Sequence, residues 1–308
     1  MGKRKRDLDS CASVFKHFDM EENEAVKQQV YTAGTGKHGV LRTGQNKLHM
    51  ADLMAYLCFF LERGVIPDYV VVAGGAPGVH FHALIRMLPA HTEWHLYDVV
   101  AFAPHLHTLQ DEGFICIMHK QLYLEQDGEF WASKKRVLFL SDIRNTNYTP
   151  TIEKLHRLKH NSNADTELES LRQELENMAQ EDMTIQAQMV RQTQAEMSVI
   201  KLRFPYVEDG KEQEHEYLRG KIWFQYQNRP NSTECRLMVM PTEHFDKQQG
   251  RNVEFETKKY NISLHERKCA YMNNHMRPAW DSHARAIIKK VYEFMMQELC
   301  LTRRWMWV

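Results

Sequence analysis

The run Asp68-Tyr-Val-Val-Val-Ala-Gly-Gly-Ala-Pro-Gly78 limits what this chain can fold into more than any other stretch. Tyr69 to Ala73 is a short β-branched apolar run bounded by turn residues, the pattern of a strand buried on both faces of a parallel sheet. Gly74-Gly-Ala-Pro-Gly78 then has to turn tightly, and glycine permits the positive φ or close backbone approach that such a turn needs. Val79, Leu84, Ile85 and Leu88 follow as the apolar face of a helix. Strand, glycine turn and helix open a βαβ unit, so a parallel sheet is expected.

A second strand, Trp94-His-Leu-Tyr97, ends in Asp98. An acid about 20 residues beyond the glycine turn is where doubly wound folds hold a pair of ribose hydroxyls. The turn is not a GxGxxG, and Pro77 removes one backbone N–H that a pyrophosphate would use. A nucleoside cofactor without a phosphate bridge suits these residues, and S-adenosylmethionine has that form. An ordinary tight βα turn accounts for the same residues, and at this level both readings stand.

The 308 residues are enough for one large α/β domain or two small ones. Lys plus Arg (40) balance Asp plus Glu (40), so no global field draws in nucleic acid, and RNA contacts must be local. Six scattered cysteines form no CxxC pair and no disulfide framework, which suits a reducing compartment and argues against a zinc site. His80-x-His82 and His105-x-His107 lack the HExxH spacing of a metal helix. No apolar run is long enough to span a bilayer and no secretory signal is legible, so an intracellular protein with no membrane partner is expected.

Residues 1–30 are polar and begin with Lys3-Arg-Lys-Arg6, which reads as a flexible tail, with nuclear import or an RNA-touching arm as the other uses of such a run. Gly44-Gln-Asn-Lys47 introduces a helix with Met50, Leu53, Met54, Leu57 and Leu61 on one face and Gly64 as its stop. Further strands are expected at Phe114–Met118 and Val137–Leu140. The latter delivers Ser141-Asp142-Ile-Arg144 at the carboxyl end, where open parallel sheets bind ligands. Asp142 could equally cap the segment that follows. Residues 163–197 are helical and charged, with a break of register at Asp182 that suggests two helices or a bent one. Ser198 to Tyr206 reads as a strand with Lys201 embedded in it, either snorkelling at an edge or held in a pocket. Ile222–Tyr226 and Ser232–Met240 are two more strands, with Glu234 near the start of the second, and Ala284 to Leu299 is helical.

Taken in order, these stretches resemble one family. Gly44-Gln-x-Lys47 before a helix, Gly-x-Ala-Pro-Gly78 after a strand, Asp98, Ser141-Asp142-x-Arg144, Lys201-x-Arg203 with Pro205-aromatic, Glu234-x-Arg236-Leu and Glu266-x-Lys268 are similar to the poxvirus cap-specific mRNA 2′-O-methyltransferase family. Members of that family also serve as the regulatory subunit of the viral poly(A) polymerase. The likeness runs from about Gly44 to Asn273, with a longer interval between Asp142 and Lys201, and suggests a homologue from another large DNA virus.

The resemblance implies an α/β, Rossmann-like class I S-adenosylmethionine-dependent methyltransferase with a central, mostly parallel sheet and helices on both faces. It would occupy residues 31–308, with the helical segment 163–197 inside it. It implies a catalytic tetrad of Lys47, Asp142, Lys201 and Glu234. A ribose 2′-hydroxyl is a poor nucleophile that must lose its proton as it attacks a sulfonium methyl. Lys201 would take that proton, with burial and the neighbouring Lys47 cation lowering its pKa, while Asp142 and Glu234 orient the amines. No metal is needed for that step. Gln45, Gly74, Gly78, Asp98 and Asp142 match cofactor-binding positions, and Val100 stands where the family has an arginine. For the cap, a methylated guanine is a cation with a π face, gripped between aromatic rings. Tyr206 matches one ring, and Glu208 and Glu266 match acids that read the guanine edge. Asn231 stands where the second ring belongs, with Tyr226 or Tyr31 as substitutes.

The activity implied is methyl transfer to the first transcribed nucleotide of 7-methylguanosine-capped mRNA. A non-catalytic, RNA-binding processivity subunit paired with a poly(A) polymerase catalytic subunit is the alternative from another class, and a cap-independent RNA 2′-O-methyltransferase is a third. The compartment implied is the host cytoplasm, its viral factory or the virion, with Lys3–Arg6 leaving the nucleus open.

Overall fold

A computed structural model of the chain describes residues 18–21, 26–29, 44–144, 148–158, 165–206, 213–229, 232–242 and 253–299. Five strands, β1 (Tyr69–Ala73), β2 (Glu93–Tyr97), β3 (Cys116–His119), β4 (Val137–Ser141) and β5 (Met197–Leu202), run parallel in the order β3-β2-β1-β4-β5. Strand β6 (Glu214–Leu218) leaves this sheet and pairs with β9 (Thr257–Asn261) in a separate antiparallel ribbon. Strands β7 (Lys221–Phe224) and β8 (Cys235–Val239) return to the main sheet, where β8 runs antiparallel beside β5 and β7 closes the edge. Seven strands in the order β3-β2-β1-β4-β5-β8-β7, with one reversed next to the edge, form a mostly parallel, Rossmann-like α/β sheet. The α/β class and the mostly parallel sheet expected from the sequence are both present.

The central strands are mostly apolar because no face of theirs meets water. Every residue of β4, β5 and β8 is buried, including Lys201 and Arg236. Helix α1 (Gly44–Arg63), helix α2 (Val79–Met87) and the long C-terminal helix Arg277–Glu298 pack together on one side. Between α2 and β3 lies a short helix, α3 (Thr108–Asp111). The helices α4 (Glu125–Ala132), α5 (Tyr148–Leu158) and α6 (Asp165–Thr193) pack together on the other side. Both groups reach β4, which places helices on both faces of the sheet. Helix α7 (Ile262–Tyr271) follows β9, passes through a single π turn at Met272–Met276 and leads into α8 (Arg277–Glu298).

Two sequence expectations are corrected here. Segment 163–197 is not two helices: α6 is one continuous helix of 29 residues running through Asp182. The shift in apolar register reflects a change of neighbour. Leu168 and Leu171 pack with Leu155 of α5, whereas Met183, Ala187 and Val190 join the main core, and Asp182 itself is buried. The polar N-terminal segment also enters the fold before residue 30. Phe18 is buried edge-on against Trp280 at 5.4 Å, Asp19 bridges Trp223, and the backbone N–H of Gln29 donates to the carbonyl of Arg267. The runs Lys3–Arg6 and Arg303–Val308 lie outside the described residues.

Candidate active site

Strand order reverses at β1, whose neighbours are β2 and β4, and in such sheets the crevice lies beyond the carboxyl ends at that point. The register brings four candidate residues to it in step. Ala73 lies level with Tyr97 and with Ser141, and Ser141 lies level with Ile200. Gly74, Asp98, Asp142 and Lys201 are therefore the next residue of each strand, all at the same edge.

Gly74 has φ 81°, and a Cβ there would meet the backbone carbon of Asp142 and nitrogen of Ile143 at 2.9 Å each. Glycine is needed for both reasons. Gly78 takes φ 68° immediately before α2, and the Ala76–Pro77 peptide between them is cis. Asp98 is half-buried, and its two carboxylate oxygens accept from the backbone N–H groups of Ala76 (3.0 Å) and Val100 (2.9 Å). Two of its roughly four acceptor sites are thus taken, leaving two for a vicinal diol. Gln45, in the first turn of α1, presents its amide oxygen to the backbone N–H (3.2 Å) and Nδ1 (2.9 Å) of His80, whose Nε2 meets Asp52 at 2.8 Å. Gln45 thereby joins the start of α1 to the start of α2. A pocket bounded by Asp52, Gly74, His80, Ser141, Asp142 and Arg236 opens beneath these groups. Within its lining, Ser141 Oγ is a buried hydroxyl without a partner among the described residues.

The four tetrad candidates converge on this edge. Lys47 Nζ lies 3.1 Å from Glu234 Oε1, across 187 positions of sequence. The amide of Gln225 donates to the same oxygen at 2.8 Å, and Arg144 Nη2 approaches the other oxygen at 3.5 Å. Asp142 accepts from Arg236 at 2.8 Å, while a second guanidinium N–H of Arg236 donates to the carbonyl of Ser141 at 3.2 Å. Lys201 stands directly opposite Arg236 across β5 and β8, and its amine donates to the carbonyl of Ile143. Because β8 runs antiparallel, its amino end meets the carboxyl end of β5, which is how Glu234 reaches the site.

Burial drives the amine of Lys201 below the ordinary lysine range; Asp142 and Glu234 oppose this, and Arg144 and Arg236 add to it. These two arginines are the cations acting on Lys201, where Lys47 was expected in that role; Lys47 is instead paired with Glu234. Burial alone would raise the carboxyl of Asp142, yet Arg236, followed by Lys201, holds it below the usual range. Glu234 is held well below its range against burial, first by Lys47 and then by Lys201. The site is thus two ionised carboxylates among fixed cations, with one buried amine pressed toward neutrality.

Three contributors carry no role in the sequence reading. Arg236 holds Asp142, Gln225 holds Glu234, and Gln186 of α6 binds the backbone of Lys201. A buried arginine in the apolar run Cys-Arg-Leu-Met-Val was the one signal visible beforehand. The two glutamines carry no pattern that marks them.

The cap-reading candidates are less drawn together. Tyr206 is 37% exposed, has the guanidinium of Arg203 over its ring at 5.1 Å, and donates its backbone N–H to Glu176 of α6. Glu266 is buried on α7, and the adjacent His265 meets Phe204 edge to face at 5.0 Å. Tyr226 is not available as a second stacking ring, because it is buried and Arg285 donates to its hydroxyl. Glu208, Asn231 and Tyr31 lie outside the described residues.

No protein-family model matches the chain, and no curated protein matches it. Among solved structures, that of VP4 of bluetongue virus, described as a multifunctional RNA-capping production line, is similar at 13% identity and a TM-score of 0.47. The match covers 95% of this chain and 44% of that one, so the chain spans under half of that protein's length. Among the described residues, no helix is long and apolar enough to cross a membrane.

Proposed function

We propose that the chain is an S-adenosylmethionine-dependent methyltransferase acting on the ribose 2′-hydroxyl of RNA, with the first transcribed nucleotide of capped mRNA as its substrate. One observation carries the reading: a lysine buried to 6% exposure, at the carboxyl end of β5, is flanked by two ionised carboxylates beside the strand-order reversal. A buried lysine with a lowered proton affinity is what a general base requires, and a structural role offers no reason to bury an amine there.

The residues present fit the cofactor. Gly74 lets the turn lie close against the Asp142–Ile143 backbone where no Cβ fits, Asp98 retains acceptor capacity, and Pro77 withholds a donor that only a phosphate would need. When bound, S-adenosylmethionine supplies an electrophilic methyl group on a sulfonium. Asp98 would hold the ribose diol, and Gly74 and Gly78 would admit the methionine portion. Lys201 Nζ accepts the 2′-hydroxyl proton. Asp142 and Glu234, ionised at neutral pH, stabilise the ammonium that results, and Lys47 and Arg236 keep those carboxylates in place. Arg144, whose side chain is 60% exposed, stands at the mouth as a cation for an RNA phosphate.

A cap-independent 2′-O-methyltransferase is the second reading, favoured by the burial of Tyr226 and by Arg203 lying over the Tyr206 ring. Methyl transfer to three short RNAs separates them: one capped with an unmethylated first ribose, one with that ribose pre-methylated, and one uncapped. Transfer to the first alone, lost in Lys201→Ala, is expected. Equal transfer to the uncapped RNA supports the second reading. RNA binding without transfer would instead support a processivity subunit for a poly(A) polymerase.

A further inference from the structure

We propose that Cys235, His265 and Cys269, together with the carbonyl oxygen of Thr233, form a structural site for a tetrahedral divalent ion of the zinc class. Cys235 opens β8, and His265 and Cys269 lie four residues apart on α7, so one helical turn sets them on the same face. The three side chains are 0%, 4% and 1% exposed, and their two Sγ atoms and an imidazole nitrogen lie within 4.8 Å of one another.

The spacing is that of a coordination shell. Cys235 Sγ and Cys269 Sγ are 3.7 Å apart, and Cys269 Sγ is 3.6 Å from His265 Nε2. Metal–sulfur bonds of about 2.3 Å and metal–nitrogen bonds of about 2.0–2.1 Å at tetrahedral angles place two sulfurs roughly 3.8 Å apart and a sulfur and a nitrogen roughly 3.6 Å apart. A disulfide would need the sulfurs at about 2.05 Å. The carbonyl oxygen of Thr233 lies 2.8 Å from His265 Nε2 and 3.8 Å from Cys269 Sγ; a nitrogen and an oxygen on one tetrahedral ion stand roughly 3.3 Å apart, so a shift of about half an ångström would make it the fourth donor. The carbonyl of Thr233 only accepts, so without the ion His265 Nε2 is the protonated nitrogen; on binding, that proton moves to Nδ1, which has no partner among the described residues.

The charge also closes. On binding, each thiol gives its proton to solvent and its sulfur forms a bond to the ion. Two thiolates offset the dication, and imidazole and carbonyl are neutral, which gives an uncharged site suited to a dry interior. Two sulfurs and a nitrogen exclude the oxygen-seeking magnesium and calcium ions. With four protein donors the site is closed, hence structural. It would fasten the Thr233–Cys235 segment, with Glu234 between its two donors, to the helix that carries Glu266.

Elemental analysis of the full chain tests this, using protein purified without a polyhistidine tag from zinc-supplemented medium and dialysed against a weak chelator. About one zinc per chain is expected in wild type and in Cys58→Ala, falling at least tenfold in Cys269→Ala. Protein from cobalt-supplemented medium should show a thiolate-to-cobalt charge-transfer band. That measurement decides the matter on wild type alone if Cys269→Ala fails to fold. A natively folded wild type with neither zinc nor the cobalt band overturns the proposal, as does zinc retained by folded Cys269→Ala. Methyl transfer is not read in either experiment, so the metal site and the proposed activity can fail separately.

Discussion

Gln186 secures both backbone groups of Lys201 with one side chain: its Nε2 donates to the Lys201 carbonyl at 3.0 Å, and its Oε1 accepts from the Lys201 N–H at 3.0 Å. Pairing with β4 ends one residue earlier, at Ser141 and Ile200, where the chain turns away toward Asp142. A fully buried amide from α6 therefore takes the place of the next rung of β4, at the residue proposed as the base. Gln186→Met keeps the volume and abandons both groups. Stability should fall by about 2–4 kcal/mol, as expected for two buried backbone groups left unpaired, read from the urea midpoint. The rate should fall at least about tenfold, and its rising limb should move to higher pH as Lys201 loosens toward water. A limb that stays in place would make Gln186 merely structural.

Lys201→Met separates stability from catalysis. Burial works against the charged amine of Lys201, so an apolar side chain of similar length should raise the urea midpoint. Methyl transfer should drop by about 10²–10⁴-fold, the usual contribution of a general base. A less stable variant that keeps its activity would contradict both halves.

The pH dependence follows from the same amine. Lys201 must be neutral to accept a proton, and its pKa lies below the ordinary lysine value, so the rate should rise about tenfold per pH unit and level off before that value. Asp142 raises the pKa of Lys201. Asp142→Asn should therefore shift the limb toward lower pH even as the rate falls. A shift the other way would mean that another group titrates.

Gly74→Ala and Gly113→Ala form a matched pair. Both glycines have positive φ, but a Cβ at Gly113 meets nothing within 4 Å, whereas one at Gly74 would strike Asp142 and Ile143. Each substitution should cost about 1 kcal/mol or more from backbone strain. Only Gly74→Ala should also abolish S-adenosylmethionine binding by calorimetry.

The sheet was legible because its strands are short apolar runs that end in chemically distinctive residues. Tyr69–Ala73, the glycine turn and Asp98 lie within one contiguous βαβ unit, so local pattern sufficed there. Lys201 and Glu234 were legible as embedded charges, but the groups around them were not. Arg236, Gln225 and Gln186 act through pairings between distant strands and helices, which a linear pattern does not encode. Cys235 and the His265–Cys269 pair are likewise far apart in sequence and meet only because α7 packs beside the start of β8. The break at Asp182 misled because it marks a change of neighbours along one continuous helix and not a boundary between two.

The single reversed strand beside β5 divides the responsibilities of this protein. On the parallel side, β1, β2 and β4 with their turns form a receptacle whose dimensions are set by crossover helices and tolerate little change. On the other side, β8 enters from the opposite direction, and the β6–β9 ribbon and α7 are additions strung between it and its neighbours. The amino end of β8 contributes Glu234 whatever the length of the excursions on either side. A lineage could thus lengthen or shorten the half proposed to grip RNA, while the half proposed to hold S-adenosylmethionine stays fixed. Divergence of substrate preference is expected to accumulate after Leu202, and conservatism before it.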